Sequence, residues 1–201
     1  MKRLTLSAFL TMAAVALQGG TCLAREIENA EADAFTARMF AGAPGKNASA
    51  CFVRHYDADR LADRPHVAAI KLLIKAEHEA KDNTPYHSFR LGVEYRHRSG
   101  EFGSRGDCGH TLAADKSDEV RFVCNLGGCE GDGLEIALSK DGKSVTVRVE
   151  GISIWHMSHE EAQLALGAGP TGSTFRLNRT DARRCASLAA NRKERATTRR
   201  N

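Results

Sequence analysis

Several features that would point to a function are missing from this sequence, and each absence narrows the field. After Ala24 no apolar run comes near the roughly 20 residues that a membrane-crossing helix needs, which argues against a transmembrane segment in the mature chain. No C-x-x-C pair occurs, so the usual thiol-redox motif is excluded. No internal repeat is present, which excludes a solenoid. Basic residues gather only at the end, where Arg192, Lys193, Arg195, Arg199 and Arg200 stand against Glu194 alone. That tail equals the whole net charge of +4 and leaves the body of the chain without a basic face, which argues against a nucleic-acid partner.

What is present begins with a secretory signal. Lys2 and Arg3 precede an apolar run from Leu4 to Leu17 and a small-ended cleavage site at Cys22, Leu23 and Ala24. Gly19, Gly20 and Thr21 do not supply the branched residue or leucine of a lipoprotein box, so Cys22 is expected to leave with the signal. The division that follows is a signal peptide over 1–24, an N-terminal segment and linker over 25–50, a folded domain over 51–190, and a basic disordered tail over 191–201. The expected location is periplasmic or secreted, and the mature chain is expected to be soluble.

Five cysteines then remain: Cys51, Cys108, Cys124, Cys129 and Cys185. In an exported chain they read as structural cysteines of a disulfide framework. Their odd number implies two bridges and one free or intermolecular thiol, and the least accessible cysteine is the one expected to stay reduced. Cys108 is the nearest plausible partner of Cys124, although the spacing leaves the connectivity open.

Hydrophobic periodicity is mostly that of strands. Phe89, Leu91, Val93 and Tyr95 alternate with Arg90, Gly92, Glu94 and Arg96, and Ile70, Leu72, Ile74 and Ala76 alternate within 67–78, where a helix is the competing reading. Val120, Phe122 and Cys124 share one face of a further strand. Asp141 and Gly142 suit a two-residue type I′ turn, which would set Leu138 against Val145, Ile136 against Val147, Leu134 against Val149, and Glu135 against Arg148 as an ion pair. Strands are also expected over 151–155 and 173–178. A short helix is read around Ile27, Ala30, Ala34 and Phe35, and another over 181–192, capped by Thr180 or Asp181 with Ala182, Cys185, Leu188 and Ala189 inward. The fold class expected is mainly β, a small antiparallel sandwich or barrel with a short C-terminal helix.

Chemistry is sparse. His156, Met157 and His159 place imidazole and thioether groups close in sequence, a donor set suited to copper or zinc, but they need a further ligand from elsewhere and otherwise form a surface loop. His55 with Asp57 and Asp59 reads as a charge-balanced turn. His110 beside Cys108 would be a base and a nucleophile only if the thiol were free. Glu130, Asp132 and Glu135 lie among glycines, but the run lacks the loop grammar of an EF-hand. Asn47 and Asn178 sit in sequons.

Along Cys51, Phe52, Val53, Arg54, His55, Tyr56 and Asp57 to Arg60 and Leu61, then Phe122 to Gly133 and Phe175 to Arg179, the chain resembles small cysteine-rich exported β proteins of alphaproteobacteria. The resemblance covers about 51–185 and implies no activity. The reading that follows is a non-enzymatic envelope protein that binds or protects an envelope component and needs no cofactor. Metal handling through His156, Met157 and His159 is the alternative, and an enzyme without a recognisable constellation is the third.

Overall fold

The computed structural model describes residues 27–42, 48–56, 66–78, 85–113, 119–126, 133–157, 159–166 (backbone only) and 173–189. Its elements are helix α1 (Asn29–Met39), ten strands and a closing 3₁₀ helix (Ala182–Leu188). The strands are β1 (Ser49–His55), β2 (Val67–His78), β3 (Pro85–Tyr95), β4 (Glu101–Leu112) and β5 (Val120–Asn125), then β6 (Gly133–Leu138), β7 (Ser144–Val149), β8 (Ile152–His156), β9 (His159–Leu166) and β10 (Ser173–Thr180). Every pairing is antiparallel, in the order β3-β2-β1-β10-β7-β6-β5-β4, and a β3–β4 ladder closes this row into an eight-stranded barrel. The β8–β9 hairpin leaves the barrel between its seventh and eighth strands and attaches to β4 through Phe102 and Gly103. The barrel is thus the expected mainly β fold with a C-terminal helix, and 67–78 is strand.

Period-2 alternation fills the interior. Phe52, Ile70, Leu72, Ile74, Phe89 and Leu91 from β1 to β3 join Phe122, Ile136, Val147, Phe175 and Leu177 in one buried cluster. Eight strands leave an interior just wide enough for side chains to occupy, and here apolar ones occupy it. Phe35 and Met39 of α1 belong to the same cluster. The 25–50 segment, read as a leading helix and linker, therefore includes a packed part of the barrel. Its buried face is Phe35, Thr36 and Met39, whereas Ala30 is exposed.

Arg179 ties α1 down. Its guanidinium donates to the carbonyls of Arg38 (3.2 Å) and Met39 (3.0 Å), satisfying helix C-terminal acceptors, while its Nε donates to Gly142 O (2.6 Å). Helix α1 therefore reaches from β4 and β5 to the β6–β7 turn, across one mouth of the barrel.

On the outer face the 3₁₀ helix covers Cys51, Val53 and Leu73 with Cys185 and Leu188. Asp181 caps it by accepting from Arg183 N (2.9 Å). It ends at Leu188, earlier and more tightly wound than the 181–192 helix expected, yet it buries the predicted Ala182, Cys185 and Leu188.

The β6–β7 register is the one predicted, Leu138 to Val145 through Leu134 to Val149. The turn is different. Gly142 N donates to Ser139 O (2.9 Å), and Gly142 alone has positive φ (+68°), so this is no type I′ turn. Asp141 instead uses its carboxylate to accept from Ser139 Oγ (2.7 Å) and Lys143 N (3.0 Å). The expected Glu135–Arg148 pair is also redistributed: Glu135 binds Arg121 on β5, and Arg148 binds Glu150 at 3.0 Å.

Candidate functional site

Two disulfides are present, Cys51–Cys185 and Cys108–Cys124. The second is the partner choice the sequence suggested. Cys51, Cys124 and Cys185 are all buried and all bridged, which overturns the expectation that the least accessible cysteine stays reduced. Cys129 lies outside the described residues. With its sulfur bonded to Cys124, Cys108 cannot be the nucleophile of His110.

Two half-buried histidines meet inside the barrel beneath α1. Strand parity brings them together: His87 on β3 faces Cys108 on β4, Cys108 faces Cys124 on β5, and His110, two residues along β4, faces Phe122. The rings of His87 and His110 meet edge to face with centroids 5.3 Å apart, and each stands 4.9 Å from the Phe122 ring. Helix α1 closes the group from above. Thr36 Oγ1 and His110 Nε2 share a hydrogen bond of 3.0 Å, Phe35 packs edge-on against His110, and Phe40 stacks over His87.

Burial, and then the neighbouring His110, pushes the His87 pKa down to about 4, so its ring is neutral at physiological pH. Burial also lowers that of His110, with Asp33 of α1 acting in the opposite sense. His87 is the residue the sequence reading passed over. Its signal is parity, because it continues the inward Phe89, Leu91, Val93 series.

A second feature lies outside. The outward residues of β5, β6, β7 and β10 surround an open depression of about 440 Å³ edged by Glu119, Arg121, Glu135, Thr146, Arg148 and Thr174. Both charge signs alternate there, which suits a polar partner more than an apolar one.

The residues read as metal ligands fall elsewhere. His156 ends β8 and His159 opens β9, directly opposite it in the ladder, so the segment read as a surface loop is the tip of a hairpin. His156 packs on Phe102 and its Nε2 lies 3.3 Å from Ser99 O, while Met157 is 48 % exposed. The side chain of His159 is outside the described residues. No group of three or more His, Cys, Asp or Glu among the described residues is placed to hold a metal ion.

His55 is exposed at the end of β1, whereas Asp57, Asp59, Glu130, Asp132 and Asn47 lie outside the described residues. Asn178 sits in the β10 ladder, opposite Val53 and Ser144. No family model matches the chain, and no curated protein or solved structure matches it.

Proposed function

We propose that the chain is an exported, non-catalytic protein of the cell envelope, periplasmic or secreted, that binds or shields an envelope component through its outer surface. The observation that carries this reading is the barrel interior. Most of its inward positions are taken by buried apolar side chains, with His87 and His110 packed beneath α1, so the polar depression on the outer face is the better place for a partner. Two disulfides fit an oxidising compartment, and among the described residues no helix is long and apolar enough to cross a membrane.

Cell fractionation with intact-mass analysis tests export: the expected species lacks residues 1–24 and carries two bridges. Binding to an isolated envelope fraction tests the surface, with Arg121→Glu/Arg148→Glu expected to abolish retention. Retention unchanged by that charge reversal would sink the outer-face reading, and stoichiometric uptake of a fluorescent fatty acid would show that the barrel carries ligand inside.

A second reading, copper or zinc binding, draws on the direct opposition of His156 and His159 across the β8–β9 ladder, with Met157 in the turn between them. Copper or zinc retained through purification and lost in His156→Ala/His159→Ala would favour it.

A further inference from the structure

We propose that His87, Cys108, His110 and Cys124 form a latent zinc site, closed while Cys108 and Cys124 are bonded to each other and opened when that disulfide is reduced. This goes beyond the surface-binding role and does not depend on it.

The donor set is argued from strand register. All four residues point inward, on three neighbouring strands, with Cys108 central: His87 is its partner on one side, Cys124 on the other, and His110 follows on the same face. The Cα atoms of Cys108 and Cys124 are 4.0 Å apart and the two imidazole centroids 5.3 Å apart, so each pair is close, while the bonded sulfurs leave no metal-holding group among the described residues in this form. Two thiolates and two imidazoles are the donors of a closed tetrahedral zinc site. The Thr36 hydroxyl on His110 Nε2 leaves Nδ1 as the free donor and orients the ring, which is how protein groups behind metal-bound histidines act. Two thiolates also cancel the charge of the dication, which matters beside Phe35 and Phe122 in an apolar interior.

The other bridge gives the contrast. Cys51 and Cys185 sit among Val53, Leu73 and Leu188 with no imidazole in that cluster. Cys108 is half-buried, while Cys124 is fully buried. In the bonded state the sulfurs are spent and two imidazoles remain, which accords with the lack of a metal-holding group in the disulfide form.

The chemistry balances with an external dithiol. Its two sulfurs join as a disulfide, delivering two electrons and two protons; the Cys108–Cys124 bond breaks and two thiols form. Zinc then displaces one proton from each thiol as the two sulfur–metal bonds form.

The test is Co²⁺ titration of the full chain before and after anaerobic reduction, followed by displacement with Zn²⁺. The expected result is one Co²⁺ per reduced chain with a thiolate charge-transfer absorption, no such absorption in the oxidised chain, and none in Cys108→Ser/Cys124→Ser. His87→Gln and His110→Gln should each weaken binding about tenfold or more, since losing merely a group that orients a ligand costs about 10- to 100-fold. If reduction unfolds the chain, recovery of its strand circular dichroism on adding Zn²⁺ replaces the absorption as the readout. The proposal is overturned by a reduced, folded chain that gives no Co²⁺ absorption, or by a reduced, unfolded chain that Zn²⁺ does not restore. Absorption that persists in Cys108→Ser/Cys124→Ser, or binding unaffected by both histidine variants, overturns it equally.

Discussion

Phe35→Ala asks whether helix α1 is part of the barrel or a detachable cover. The Phe35 ring is 1 % exposed, with its centroid 4.9 Å from that of Phe122 and 5.8 Å from that of His110, both edge to face. Truncating a buried phenylalanine removes its transfer free energy and leaves a cavity, together about 3–5 kcal/mol. The mouth of a barrel relaxes more readily than its centre, so a loss near 3 kcal/mol is expected. Urea denaturation read by circular dichroism measures it, with the exposed Arg105→Ala as a control expected to change stability by less than about 0.5 kcal/mol. The m-value should stay constant, because one cooperative unit unfolds in both proteins. A loss below about 1 kcal/mol for Phe35→Ala, comparable to a surface change, would mean that α1 lies on the barrel without being part of it.

Three further outcomes are expected. Between pH 6.5 and 4 the unfolded chain binds a proton that the folded state refuses at His87, whose folded pKa is about 4, so stability should fall as pH drops through that window. The full displacement is worth about 3 kcal/mol, which solvent access to a half-buried ring reduces to about 1–2 kcal/mol; denaturation at pH 7 and pH 4.5 should show it, and His87→Phe should reduce it, leaving the smaller dependence that His110 contributes in the same direction. Asp141→Val/Gly142→Val removes the carboxylate that organises the β6–β7 turn and puts a branched residue at positive φ; thermal unfolding should drop clearly, and an unchanged midpoint would contradict the turn described. Cys51→Ala/Cys185→Ala opens a sequence separation of 134 against 16 for Cys108→Ala/Cys124→Ala, so calorimetry should show losses of about 5 and about 3 kcal/mol on the chain-entropy view, and the reverse order would argue against that view.

The parts of the fold legible in the sequence are those where one face is apolar and the other polar. β3, β5 and the β6–β7 hairpin meet that condition, and parity points Cys124 inward while leaving its partner open. The hairpin register follows from the midpoint between Asp141 and Gly142, which is why it is right although the turn type is not. β4 is hidden because Gly103, Ser104, Gly106 and Gly109 break its alternation. At Gly106 the small residue has a physical cause: a Cβ there would collide with the backbone oxygen of Asn125, the last residue of β5. β9 is hidden because its polar start, His159, Glu160 and Glu161, reads as a loop, although it forms the outer strand of the hairpin. The histidine pair under α1 draws on β3 and β4, and no local pattern announces that two inward histidines will meet there.

Closure of the barrel suggests why the disulfides sit where they do. From β1 to β7 each strand pairs with its successor in sequence, so those contacts form between chain neighbours at modest loop-closure cost. The eighth strand, β10, must insert between β7 and β1 after the β8–β9 excursion, which makes the β10–β1 ladder the most non-local contact of the barrel. Cys51 stands on β1 at the register partner of Thr180, and Cys185 follows on the 3₁₀ helix immediately after β10. That bridge therefore closes the seam where sequence proximity does least. Cys108–Cys124 joins strands that are already sequence neighbours and adds little to closure. The barrel can lose that bond and keep its seam, which is the condition a reversible thiol pair beneath α1 requires.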